Sequence, residues 1–295
     1  MKVTPLDKAE PGPRTVAVGT FDGVHAGHRA VIGQADTVLT FDPHPLEVLA
    51  PDRAPRLLTD TARKAELLEG LGVAEMVVIP FDRSFASQSP QEFIDEILVG
   101  RLGASIVRVG ENFRFGKGAG GDAALLAAQP SFGTAVVGLL ESDGRVVSSS
   151  WIRDLVAEGD VGAANDLLGS AVELAGEVAR GEQRGTGLGY PTANIEPDAR
   201  RSLPAYGVYS AIAVLEDGLE VPAAVSIGVR PTFETELGEL VEAHLIDFDR
   251  DLYGTRLRLR FHHRLRPELA FDDVDELIEQ MARDVEDARN LLAGG

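Results

Sequence analysis

Gly19-Thr20-Phe21-Asp22-Gly23-Val24-His25-Ala26-Gly27-His28 overlaps the end of a strand-like run, Thr15–Phe21, and its reading decides the fold of the N-terminal half. Glycines at 19, 23 and 27 let backbone approach a ligand closely, and a helix is expected to open near Gly27. His25 and His28 then lie at the carboxyl edge of a strand, beside a helix N-terminus. Amides and imidazoles there can stabilise negative charge on a phosphate under attack. Taken alone, His-x-x-His is as well a surface turn or half of a zinc site. Its place after a buried strand decides for the anion site, and no cysteine exists to complete a thiolate zinc centre.

Outward from this turn, further strand-like runs (Asp36–Phe41, Glu75–Phe81, Ser105–Gly110 and Thr134–Leu140) alternate with helical patterns. Only Arg29–Ala35 separates His28 from the next strand, so the crossover helix is held to about two turns. Ser89-Pro90-Gln91-Glu92 is a capping box with proline at the first helical position, and Phe93, Ile94, Ile97 and Leu98 form the apolar face behind it. Leu67, Leu68 and Leu71 give another helix, stopped by Gly72. Alternating strands and helices predict a parallel, doubly wound α/β sheet, with ligands beyond the carboxyl ends of its strands. Two short helices are expected next, Trp151–Ala157 and Asp160–Leu168, ending at Gly169.

Beyond Gly169 the texture changes. Runs at Val208–Leu215, Val221–Ile227, Leu240–Phe248 and Arg256–Phe261, broken by Gly, Pro and Asp, predict a small antiparallel β-barrel. A terminal helix follows, capped by Asp272 or Asp273, with Val274, Leu277, Ile278, Met281, Val285 and Ala288 in one stripe. The expected domains are residues 1–169 and 170–295.

Composition narrows the function. The chain has 295 residues, 44% of them apolar, enough for two cores. A net charge of −19 excludes a general nucleic-acid binder, so anions must be held by local features rather than by an overall field. The opening MKVTPLDKAEPGPR has no apolar core of signal-peptide length, and no run approaches a membrane span. With cysteine absent, these features fit a cytoplasmic protein that engages no membrane.

A second candidate site opens the barrel. In Arg180-Gly-Glu-Gln-Arg-Gly-Thr-Gly-Leu-Gly-Tyr-Pro-Thr-Ala-Asn194, glycines at 181, 185, 187 and 189 make a loop whose amides can wrap a phosphate chain. Thr192 and Asn194 offer two hard oxygens, of the kind Mg²⁺ accepts alongside phosphates and water. Each feature alone is common in turns. By spacing alone Glu242 reads as a solvated strand residue, with His244 on the same face.

Taken together these segments resemble two known families. Gly19–His28 is similar to the HxGH motif of nucleotidyltransferases, in the form found in the FMN adenylyltransferase module of bacterial FAD synthetases. Three segments follow in order: Phe41-Asp42-Pro43-His44-Pro45, Gly110-Glu111-Asn112-Phe113-Arg114-Phe115-Gly116, and Val147-Ser148-Ser149-Ser150-Trp151-Ile152-Arg153. The resemblance implies that His25 and His28 contact ATP phosphates. It places Gly19, Phe21, Asp22 and Asn112 in the nucleotide cleft and gives Ser149, Ser150 and Arg153 the triphosphate. Gly187-Leu-Gly-Tyr-Pro-Thr-Ala-Asn-Ile195 resembles the signature of riboflavin kinases. It is followed by Ser226–Phe233, Glu242–Asp249, Asp251–Gly254 and Arg266-Pro267-Glu268. That likeness implies ATP binding by Gly185, Gly187, Gly189 and Thr192, and Mg²⁺ binding by Thr192 and Asn194. It makes Glu242 the general base for the riboflavin 5′-hydroxyl.

The expectation is an FAD-forming transferase with riboflavin, FMN and ATP as its small-molecule partners. One alternative keeps only the kinase, with a degenerate first domain. Another is a flavin-binding regulator without turnover. Oligomeric state is not readable from the chain.

Overall fold

A computed structural model describes residues 1–179, 190–230 and 238–294. These residues form two compact units, Met1–Ser149 and Ser150–Gly295.

The first unit is built on a six-stranded sheet. Its strands are β1 (Lys2–Pro5), β2 (Arg14–Val18), β3 (Thr37–Asp42), β4 (Glu75–Pro80), β5 (Ala104–Gly110) and β6 (Gly133–Val137). All neighbours are parallel, in the order β1-β4-β3-β2-β5-β6. Strand parity explains the apolar runs. Val16 and Val18 face one core, with Leu39, Ile79, Val107 and Val109. Ala17 faces the other, with Val38 and Met76. A sheet covered on both faces needs such near-continuous apolar strands. The chain runs β2-β3-β4 in one direction and then returns to the far side of β2 at β5. The topological switch point, where ligands of such sheets bind, therefore lies between β2 and β5.

Helix α1 (Ala26–Ile32) makes the first crossover and has the two turns expected of it. The whole connection, residues 19–36, is long enough for a parallel crossover because the histidine turn contributes to it. Helix α2 (Pro45–Leu49) follows β3, and α3 (Thr61–Gly70) is capped by Asp60. The expected capping box at Ser89 is present, and Phe93, Ile94, Ile97 and Leu98 are buried. That helix starts as an α-turn at Pro90–Glu92 and continues as a π-helix over Phe93–Arg101, closing with Leu102 N–H on Ile97 O at 2.9 Å. β1 escaped the sequence reading because it is a four-residue edge strand. Thr4, Lys2 and Arg14 gather on Glu75 of β4. Burial alone would raise the Glu75 pKa, but these donors hold it below the usual glutamate range. The attachment is complete at neutral pH and weakens as acid protonates Glu75.

The second unit opens with α4 (Ser149–Glu158, whose first residue belongs to the first unit) and α5 (Val161–Leu168). Both helices hydrogen-bond to barrel segments. Val156 O accepts from Ala205 N–H, Glu158 O accepts from the Arg264 guanidinium, and the Asn165 amide donates to Phe261 O. The barrel strands are β7 (Val172–Ala179), β8 (Ala193–Ile195), β9 (Gly207–Val214), β10 (Glu220–Arg230), β11 (Gly238–Leu245) and β12 (Arg256–Arg266). They close antiparallel in the order β7-β8-β11-β10-β9-β12. Ala211, Ala213, Val225, Val241, Ala243, Leu257 and Leu259 are fully buried, and small side chains suit so narrow an interior. Tyr209, also fully buried, donates to Ala205 O, and burial pushes its pKa up to about 12.

Helix α6 (Val274–Ala293) is capped by Asp273 as expected. Its Val285 and Ala288 pack on Ala224, Ile246 and Leu265. Arg266 of β12 grips the buried carboxylate of Asp284 through Nε at 3.0 Å and Nη2 at 2.8 Å. Asp284→Ala leaves a largely buried guanidinium without this partner, which is expected to cost about 3–5 kcal/mol. Chemical denaturation checks it; an unchanged midpoint would show that the pair does not hold the helix.

Candidate active sites

The histidine turn sits at the carboxyl end of β2, next to the switch point. His25 is the N-cap of α1: its Nδ1 accepts the backbone N–H of His28 at 3.3 Å, which leaves the ring proton of His25 on Nε2. The two imidazoles stack with centroids 3.6 Å apart, and Phe21 meets the His28 ring edge-on at 5.3 Å. Gly27 permits this stack, since a Cβ there would lie 3.2 Å from the His25 ring and 3.5 Å from Val147 O. The sequence reading gave both imidazoles and the helix amides to the anion. In the structure the His28 amide donates to His25, and His25 itself is buried.

Phe21 and Val24 hold φ of 48° and 45°, in the left-handed region. Such conformations cost about 1–3 kcal/mol each and persist where the surroundings over-determine them. Asp22 is part of that restraint. It is buried, and its carboxylate accepts the amides of Leu58 and Thr59 at 2.9 Å. Thr59 Oγ1 in turn accepts from Gly23 N–H. Ser149 donates its hydroxyl to Asp22 O at 2.9 Å, tying the serine motif to the turn. Ser150 and Arg153 follow on α4, in the second unit.

A cavity of about 670 Å³ opens over the carboxyl ends of β2, β3, β4 and β5. Gly19, Phe21, His28 and Asn112 line it; Asp22, also placed in the nucleotide cleft from the sequence, does not. The reading missed the apolar wall: Phe41, Phe81, Phe85, Phe93, Phe113 and Phe115 also face this space. Phe113 and Phe115 stack at 5.5 Å, and Phe41 meets Phe81 edge-on at 5.7 Å. The signal available in the sequence was phenylalanine just beyond the strand ends at 81, 85 and 113.

In the barrel, register sets the second site. Asn194 on β8 stands directly opposite Glu242 on β11, and Glu242 stands opposite Ser226 on β10. Side chains so paired have Cβ atoms about 5 Å apart on one face. The alternating residues Ala193, Ile195, Val241 and Ala243 turn into the core. Asn194 is buried and Glu242 half-buried. His244, two residues on, has Nδ1 2.9 Å from Pro191 O and meets Tyr190 edge-on. It thereby anchors the segment carrying Thr192. Thr192 lines a cavity of about 400 Å³ with Ala193, Ala243, Phe248 and Tyr253; Asn194 and Glu242 do not. Gly185, Gly187 and Gly189 lie outside the described residues. Thr192 and Asn194 carry the neutral hard oxygens that Mg²⁺ takes beside phosphate. No group of three or more acidic or histidine side chains suited to a metal occurs among the described residues.

Comparison with known proteins covers both halves of the chain. A FAD synthetase family model matches residues 7–151, and a riboflavin kinase family model matches residues 168–292. The bifunctional riboflavin kinase/FMN adenylyltransferase of Bacillus subtilis is 35% identical, over 96% of this chain and 94% of its own length. The protein of that name from Escherichia coli K12 is 36% identical, over 94% and 92%. A crystal structure from Streptococcus pneumoniae, described as a macrolide-efflux protein, is similar with a TM-score of 0.89 and 29% identity, over 98% of this chain and 99% of that one. No helix among the described residues of this chain is long and apolar enough to cross a membrane. With both family models matched in order and full-length relatives above 30% identity, the chain belongs to the bifunctional riboflavin kinase/FMN adenylyltransferase family.

Proposed function

We propose that this FAD-forming transferase runs its two reactions at the two sites described, with the following division of roles. The observation that carries the adenylyl-transfer assignment is the single cavity that joins His28 to a wall of phenylalanines at the switch point. The wall suits the planar, largely apolar flavin ring, and the volume falls within the range of small-molecule sites. An FMN phosphate oxygen attacks the α-phosphorus of ATP. The bond from that phosphorus to the β-bridging oxygen breaks, and pyrophosphate leaves. His28 donates to the developing charge, and His25, stacked behind it, holds its orientation. Asp22 acts by shaping the turn. Ser149 fastens the serine motif, and Ser150 and Arg153 bind triphosphate.

In the barrel, the riboflavin 5′-hydroxyl attacks the γ-phosphorus of ATP, Glu242 accepts the hydroxyl proton, and ADP departs. Thr192 and Asn194 would hold Mg²⁺, which would offset charge on the phosphates. Gly185, Gly187 and Gly189 are assigned to ATP binding. The shared supply of ATP supports a cytoplasmic setting.

The kinase assignment rests on the register of Asn194 against Glu242, and it separates the two activities. Asn194→Ala is expected to raise the Mg·ATP requirement of riboflavin phosphorylation by about tenfold or more, the cost of a lost polar ligand. FAD formation from supplied FMN should stand unchanged. An equal fall in both activities, in a folded variant, would contradict the division into two sites.

A further inference from the structure

We propose that Lys64, on α3, is a positioning residue for adenylyl transfer, holding the strained turn that presents His28. The proposal rests on the reading of the first cavity as the adenylyl-transfer site.

Lysine is rarely buried, because its charge must be taken out of water. Lys64 is 8% exposed. Its ammonium donates to Thr20 O at 2.7 Å and to Thr40 Oγ1 at 3.3 Å, and Thr40 Oγ1 itself donates to Thr20 O at 3.1 Å. Thr20 lies between the last residue of β2 and Phe21, the first of the turn's two non-glycine residues at positive φ. One charged donor from a helix 44 residues away thus fixes the carbonyl from which the left-handed turn departs. The rest of the turn is restrained in the same manner. Ser149 holds Asp22 O, Thr59 holds Gly23 N–H, and Arg29 Nε donates to Val24 O at 3.0 Å. Lys64 is not among the residues lining the cavity, whereas Thr20, Phe21 and His28 are. Its influence on substrate therefore passes through the turn, and a charge-assisted hydrogen bond is the strong form of such a tie.

A residue that sets the place of His28 governs the transition state more than ground-state binding. Lys64→Met keeps the length and apolar body of the side chain and removes the donors. For a variant with native circular dichroism and unchanged riboflavin phosphorylation, kcat for FAD formation from FMN is expected to fall by about 100-fold. That is the scale of a displacement of about 1 Å at a reacting centre. KM for FMN and for ATP should stay within about threefold, the pattern of an interaction made only in the transition state. A folded Lys64→Met with unmutated kcat overturns the proposal, and so does one whose KM rises while kcat stands. If Lys64→Met does not fold, Thr40→Val decides, because it removes the second donor to Thr20 O with little change of volume. A fall of about tenfold in kcat supports the proposal, and an unchanged kcat overturns it. Failure of the unmutated protein to adenylylate FMN is a distinct result: it overturns the reading of the cavity, and this inference with it.

Discussion

Glu242→Gln is expected to bind riboflavin and ATP as the unmutated protein does and to lose riboflavin phosphorylation by about 10²–10⁴ in rate. The amide is nearly isosteric with the carboxylate and keeps its place between Asn194 and Ser226 in the β8-β11-β10 ladder. What it cannot do is accept the proton that the 5′-hydroxyl must release as its oxygen bonds to phosphorus. Phosphoryl transfer is otherwise mostly positioning and charge stabilisation, so some residual rate should survive. Steady-state kinetics with riboflavin, alongside flavin binding by fluorescence, separates the two effects. Near-normal FMN formation would remove Glu242 from the proton transfer. Loss of flavin binding would make it a binding residue.

His28→Ala is expected to abolish FAD formation from FMN while sparing FMN formation from riboflavin. His28 is the histidine of the pair that lines the cavity; its partner caps α1 and stacks on it. A donor aimed at developing charge is worth about 10²–10³ in rate, so the loss should be plain. A folded His28→Ala protein that makes FAD at the unmutated rate would transfer the charge-stabilising role to other groups around the cavity. A parallel fall in the kinase would show that the substitution damages the chain at large.

Long periodic elements were legible in the sequence because local rules and tertiary packing agree in them. The proline-led capping box at Ser89, the two-turn crossover after His28 and the aspartate cap of the last helix are such cases. What escaped depends on partners distant in sequence. β1 is a strand only because β4 pairs with it, and β8 has three residues held between β7 and β11. Burial of Phe93, Ile94, Ile97 and Leu98 followed from helical spacing, but the widened i→i−5 closure onto Ile97 did not. The same holds at the first site. His25 and His28 were visible as a motif, while the stack and the cap that join them were not. The phenylalanine wall needs the sheet order, which brings the ends of β3, β4 and β5 around β2. Asp22 carries no local sign that its carboxylate goes to Leu58 and Thr59. In the barrel, by contrast, the pairing of Asn194 with Glu242 placed together two residues singled out from sequence.

One measurement tests the two-site account most directly: chromatography of flavins over time after mixing the purified protein with riboflavin, ATP and Mg²⁺. The account predicts that FMN forms first and is then converted to FAD with release of pyrophosphate. FMN that accumulates without any FAD would contradict it, leaving a kinase whose histidine turn does not transfer adenylate.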